Sequence, residues 1–422
     1  MFPLFRIFLL GVSLTALTSA CTAAETPPNV LLLLGDDQAW GDFGFMGHPE
    51  IRTPHLDALA AQGAVFSRSY VPSSLCRPSL ATLITGRYPH QHKISGNDPP
   101  KGTPREAMLQ HIQREPTIPK LLAKRGYVSL QTGKWWEGAP ALGGFTEAMT
   151  HGDPARGGRH GDVGLRIGRE TLQPVYDFID GHKDQPFFVW YAPMMPHTPH
   201  NPPERLLAKY RGADKPITVA RYHAMCEWFD ETIGELLAYL DRKQLSDNTL
   251  VVFVTDNGWI QDTQKQVYAP RSKRSPYEGG IRSPIILRWP GRIPPGKYDT
   301  LASSIDLAPT ILAAAGAEVP AELPGLNLLP IIQAGGKSPR NQLFGEVFDH
   351  DVAEIDRPAA SLLYRWTIQD QWKLILPTAA GARPELYDLS ADPTEDHDLA
   401  AAQPERVRKL TADIDQWWNA RE

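Results

Sequence analysis

The chain has 422 residues, 42% hydrophobic and 22% charged, with 43 basic and 48 acidic side chains and a formal net charge of −5. This composition suits a soluble globular protein with one large domain and a smaller one. It argues against a general nucleic-acid binder, which would carry a basic excess or stripe, so an anionic substrate would have to be attracted by local groups.

The N-terminus, "MFPLFRIFLLGVSLTALTSACTAAE", places an early Arg6 before an apolar run and then small residues. That is the pattern of an export signal, and it is interrupted too soon for a membrane span. Cleavage is expected near Ala20 to Ala24, making residues 1–24 a signal peptide and the mature protein periplasmic or extracellular. Cys21 after "LTSA" leaves a lipoprotein anchor open, although Thr18 stands where such signals place Leu. Two further cysteines, Cys76 and Cys226, are too few for a disulfide scaffold. Cys226 lies in an amphipathic helical pattern and is expected in the core.

"NVLLLLGDD" (29–37) reads as a buried parallel strand with acids at its carboxyl end. "TPHLDALAAQGAVF" follows as a Pro-started helix, a Gly stop and a strand. "TIPKLLAKRGYVSLQTGKW" repeats that order, as do "RETLQPVYDFIDGHKDQPFFVWYAPMMPHTPH" and "IGELLAYLDRKQLSDNTLVVFVTDNG". The alternation predicts an α/β fold: a large, mostly parallel sheet flanked by helices. After Leu329 the pattern changes. "SLLYRWTIQDQWKLIL" and "ARPELYDL" predict short antiparallel strands, and a helix closes the chain near Trp417–Trp418. The boundary is placed at Gly335–Gly336, giving a catalytic domain over 25–335 and a C-terminal subdomain over 336–422.

In open α/β sheets functional groups gather beyond the carboxyl ends of the strands. Two strands end in hard oxygen ligands: Asp36 and Asp37 after one, Asp256 and Asn257 after the other. A single pair would read as a turn or cap. Two pairs, each directly after an apolar strand, favour a calcium or magnesium ion, because the carboxylates would repel each other without a cation. Other segments deliver Lys134, His197 and Lys273. A lone Lys is usually solvated and a lone His structural. Jointly placed with a metal, they suit transfer of a tetrahedral oxyanion, where developing negative charge needs positive groups already in place. The remaining candidate is Cys76 in "SSLCRPSLATLITG". It is either a buried structural cysteine or a reactive group on a turn leading into a helix.

Taken in order, "NVLLLLGDDQAWGDFG", "TPHLDALAAQGAVFSRSYV", "CRPSLATLITGRYP", "TGKW", "FFVWYAPMMPHTPH", "VVFVTDNG", "KRSPYEGGIRSP" and "ELYDLSADPTEDHDLA" resemble the formylglycine-dependent sulfatases over nearly the whole chain after the signal segment. The resemblance implies an alkaline-phosphatase-like fold and hydrolysis of a sulfate ester, plausibly on a sulfated carbohydrate. It implies that a formylglycine-generating enzyme oxidises Cys76 to formylglycine. One hydroxyl of the hydrated aldehyde would attack sulfur, and the second would lose its proton so that sulfate leaves as the aldehyde re-forms. By the same resemblance Asp36, Asp37, Asp256 and Asn257 would bind one Ca2+, with modified Cys76 beside them. Lys134 and Lys273 would bind sulfate oxygens, and His197 would protonate the leaving alcohol or orient the ester.

Two positions depart from the family pattern. Leu80 stands where the C-x-P-S-R motif has arginine, and "GKWWEG" replaces "GKWHLG", so Trp136 stands where a histidine takes a proton. Trp donates only and cannot act as that base. Three explanations follow. Nearby groups restore the missing functions, with Arg77, His151, Arg156, Arg159 and His160 as candidates, the last four in the Gly-rich "MTHGDPARGGRHGD". Alternatively Cys76 stays unmodified in a phosphate- or phosphonate-ester hydrolase of the same superfamily. As a third option, the protein binds sulfated glycans without catalysis.

Overall fold

The computed structural model describes residues 27–156, 163–164 and 166–420. The N-terminal segment expected to direct export, with Cys21, lies outside these residues, as do Arg159 and His160.

The strands are, in chain order, β1 (Asn29–Gly35), β2 (Ala64–Phe66), β3 (Ser69–Tyr70), β4 (Val128–Gly133), β5 (Glu147–Ala148), β6 (Phe187–Ala192), β7 (Thr249–Thr255), β8 (Ile285–Arg288), β9 (Gly296–Tyr298) and β10 (Ala302–Ser303). Eight of them form one sheet in the order β5-β4-β6-β1-β7-β8-β2-β9, while β3 pairs with β10 alone. The core pairings β4–β6, β6–β1 and β1–β7 are parallel; β8 runs antiparallel to both neighbours. The sheet is therefore mixed and mostly parallel, as the helix–strand alternation predicts.

β1 lies at the centre because its continuous apolar run can be covered on both faces. Val30, Leu32 and Leu34 enter one core with the helices Cys76–Thr85 and Leu307–Ala314. Leu31 and Leu33 enter the other with Pro54–Gln62, Gln173–Gly181 and Ile217–Arg242. The alternation follows from the two-residue period of a strand. Cys226 is fully buried beside Ile51, Tyr222 and Trp259, the core role expected of it.

The C-terminal part forms an antiparallel sheet of four strands, β11 (Gln342–Phe348), β12 (Leu362–Gln369), β13 (Trp372–Pro377) and β14 (Glu385–Asp388), in that spatial order. The closing helix Pro404–Trp417 packs Leu410 and Ile414 against Leu374 and Leu386. The sequence pattern anticipates β12 to β14 and the helix but not β11. Its "QLFGEVF" breaks the apolar run with Gly345 and Glu346. Gly345 is there because a Cβ would collide with the Trp366 ring. Glu346 is buried and pairs with His90 Nδ1 at 2.9 Å.

Candidate active site

Four strand ends and one helix start converge at the carboxyl edge of the sheet. β1 delivers Asp36 and Asp37, β7 delivers Asp256 and Asn257, β4 delivers Lys134, and the segment after β6 carries His197. Cys76 is the first residue of the helix Cys76–Thr85, as the turn-into-helix reading has it. Asp37 adopts a left-handed backbone (φ 59°), a conformation uncommon outside glycine and concentrated at functional positions.

All eight predicted residues come together in one interlocked cluster. Ligand atoms of Asp36, Asp37, Cys76 and Asp256 lie within 4.8 Å of one another. Lys134 Nζ donates to Asp36 Oδ1 at 2.6 Å and lies 3.4 Å from Asp256 Oδ2. Lys273 Nζ reaches both oxygens of Asp37, at 2.6 and 2.7 Å, and Cys76 Sγ at 3.0 Å. Asn257 Nδ2 donates to Asp37 Oδ1 at 2.7 Å. His197 Nε2 is 3.5 Å from Asp37 Oδ2, and its Nδ1 donates to the Thr198 carbonyl at 2.7 Å, so Nε2 is the nitrogen turned toward the cluster.

Burial dominates the electrostatics. It pushes Asp256 up to about 7, raises Asp36, pushes the Cys76 thiol up to about 12 and His197 down to about 4. At Asp37 burial is outweighed by Lys273, His197 and Lys134, which hold the carboxyl below the usual range. Both lysines are desolvated, yet the surrounding acids keep their ammonium groups charged, above the ordinary value. Among the described residues Asp36 Oδ2 and Asn257 Oδ1 are buried oxygens without a hydrogen-bond partner. Such oxygens carry a desolvation cost that a cation would relieve. The donor set, hard oxygens from carboxylates and one amide, fits a divalent ion of the calcium or magnesium kind.

Asp37, Cys76, His197 and Lys273 of this cluster form the floor of an open cleft of about 390 Å³. Trp136 lines it, with its ring 5.9 Å from Lys134 Nζ and 5.1 Å from Arg105 Cζ. Leu80 faces the apolar core, so the helix offers no polar group at that position.

Arg77 is not a substitute for the missing motif arginine. Its guanidinium forms a bidentate pair with Glu137 (2.6 and 2.8 Å) and donates to the carbonyls of Gly96 and Met108. The Glu of "GKWWEG" is thus explained as the buried partner of the Arg in "CRPS". His151 accepts from the Asp153 amide, Arg156 pairs with Asp153 on the surface, and neither lines the cleft. The loop 96–105 contributes Asn97 to the cleft, while none of the described residues of 151–166 lines it. The segment from Trp259 to Arg274, together with His350 beyond β11, supplies walls that the sequence reading missed. Lys273 points to the first wall, since its neighbours in a connection after β7 must share the cleft. No local signal marks His350, which reaches it through the Asp98–Asp351 bridge.

Cations and hard oxygen ligands gathered around one side-chain nucleophile position at this sheet edge define a hydrolase of tetrahedral oxyanion esters. A family model described as Sulfatase matches residues 28–317, and one described as N-sulphoglucosamine sulphohydrolase, C-terminal, matches residues 269–418. Human arylsulfatase A is 31% identical, covering 94% of this chain and 89% of that protein. The N-acetylgalactosamine-6-sulfatase of Canis lupus familiaris is 33% identical over 76% of this chain and 69% of that one. The crystal structure of Ps i-CgsB in complex with k-i-k-neocarrahexaose superposes with a TM-score of 0.76 at 26% identity, covering 94% of each chain. The chain belongs to the sulfatase family and is an enzyme of that class, a sulfuric ester hydrolase.

Proposed function

We propose that the protein hydrolyses a sulfate ester on a sulfated carbohydrate, using a formylglycine made from Cys76 and a calcium ion. The observation that carries this reading is Lys273, which bridges the Cys76 sulfur and the Asp37 carboxylate on the floor of the cleft. The sulfur atom's place beside two buried ammonium groups suits a nucleophile better than a structural thiol. The carbohydrate assignment is supported by the 6-sulfatase relative and by the oligosaccharide complex of the structural neighbour.

Formylglycine at position 76 would supply, as its hydrate, a nucleophilic hydroxyl and a second hydroxyl for release of sulfate. Calcium would be held by Asp36, Asp37, Asp256 and Asn257 beside residue 76, and would offset negative charge there. Lys134 and Lys273 bind the sulfate oxygens, already charged and already desolvated, so little reorganisation is needed as charge develops. His197 faces the same carboxylate as Lys273 and serves the leaving oxygen, its ring held by the Nδ1 bond to the Thr198 carbonyl. The N-terminal segment supports export to the periplasm or beyond.

The test is release of inorganic sulfate from a sulfated N-acetylhexosamine, run beside phosphate release from the matched phosphate ester. Sulfate release abolished by Cys76→Ala is expected. Preferential phosphate release, or activity untouched by that substitution, contradicts the proposal.

A further inference from the structure

Beyond the reacting sulfate, the cleft has a charge pattern of its own. Asp37 is the only acid lining it among the described residues, and it lies on the floor; the mouth is lined by Arg274 and His350. The acids that accompany these two stand behind them. Arg274 Nη2 pairs with Asp349 Oδ1 at 2.9 Å, and His350 Nδ1 with Asp351 at 2.6 Å and Asp98 at 3.7 Å, yet none of the three aspartates lines the cleft. An arginine steadied from outside by an exposed acid, as Arg274 is by Asp349, is poised to receive an anion from inside, because an exposed pair is weak and its acid can turn to water.

Arg274 is also fixed in place. Its backbone is left-handed (φ 63°), held by the bond from its amide to the Ser74 carbonyl at 2.8 Å. Lys273, one residue earlier, descends to Cys76 on the floor. Consecutive Cα atoms are only about 3.8 Å apart, so the two cationic side chains leave from one point and end at different depths. Lys273 thus reaches the floor while Arg274, anchored beside it in the chain, lines the same cleft, so one ligand can meet both cations. Beside them Val267 (45% exposed) and Tyr268 form an apolar strip on a segment braced by the Ala269 amide to the Ile260 carbonyl at 2.7 Å. Such a strip suits the C–H face of a pyranose.

We propose that the substrate sugar carries a second anionic substituent, a carboxylate or another sulfate, and that Arg274 binds it, with His350 lining the same cleft. This rests on the sulfated-carbohydrate reading above and names the substrate class within it.

Three sugars separate the possibilities: a monosulfated N-acetylhexosamine, its disulfated counterpart and a sulfated uronic acid. Calorimetric binding to protein with unmodified Cys76 and kcat/KM of the mature enzyme are both measured, for the native protein, Arg274→Gln and Arg274→Lys. The native protein should prefer one of the doubly anionic sugars, and whichever is preferred identifies the anion. R274Q should reduce that preference at least tenfold, through KM and binding, with R274K retaining part of it. Equal preference in native protein and R274Q, or no preference in the native protein, overturns the proposal. Preferential binding without sulfate release from any sugar would instead sink the hydrolytic reading and leave Arg274 in its role.

Discussion

His197 separates two kinds of substrate at the residue scale. A sugar alkoxide is a poor leaving group and needs a proton, whereas a nitrophenolate leaves without one. His197→Ala should therefore lower kcat/KM on a sugar sulfate about 10²–10³-fold and affect nitrophenyl sulfate far less. Equal losses on both would make His197 a binding residue only. All eight residues expected from strand ends and loops meet in one cluster. That much was legible because strand-terminal position in a parallel sheet already dictates where a side chain goes. Which of the candidate groups turns toward the cleft was not legible, because a one-dimensional view cannot show which way the guanidinium of a helix-start residue such as Arg77 turns. Its neighbour Cys76 faces Lys273, while Arg77 faces Glu137.

That pairing belongs to the element scale, since it ties the helix Cys76–Thr85 to the connection after β4 that carries Lys134 and Trp136. Both charges are buried, so removing one leaves the other without a partner. Arg77→Met alone should cost about 3–5 kcal/mol of stability. The double substitution Arg77→Met with Glu137→Leu should recover part of that loss, because it removes both buried charges but leaves the Gly96 and Met108 carbonyls without their donor. Urea unfolding of both single variants and the double closes the cycle. Additive losses would mean that the two residues act independently. The pair also shows why "GKWWEG" and "CRPS" were hard to read separately: each charge is intelligible only once the fold brings the segments together.

Across the whole molecule, acid stability should depend on buried neutral histidines. His223, in the helix Ile217–Arg242, is pushed down to about 4 by burial, with His48 and Lys215 adding to the effect against Glu50. The unfolded chain binds this proton near pH 6.5 and the folded chain only near 4, so folding stability falls as pH drops between those values. A shift of that size corresponds to roughly 3 kcal/mol. His223→Gln should flatten the fall of unfolding free energy between pH 6.5 and 4; an unchanged slope would remove His223 from the effect. The main sheet could be read from local periodicity because helix, Gly stop and strand recur along the chain. The cleft walls could not, because they depend on where long connections and the second sheet come to rest. Asp98 pairs with Asp351 across the two parts of the chain, and that contact brings His350 to the mouth.

The central claim is that Cys76 becomes the nucleophile although Leu80 and Trp136 replace two expected partners. It is tested most directly by the mass of the proteolytic peptide containing Cys76, from protein made in its native host or with a compatible maturation enzyme. The account predicts an aldehyde in place of the thiol. An intact thiol in fully active native protein would contradict it.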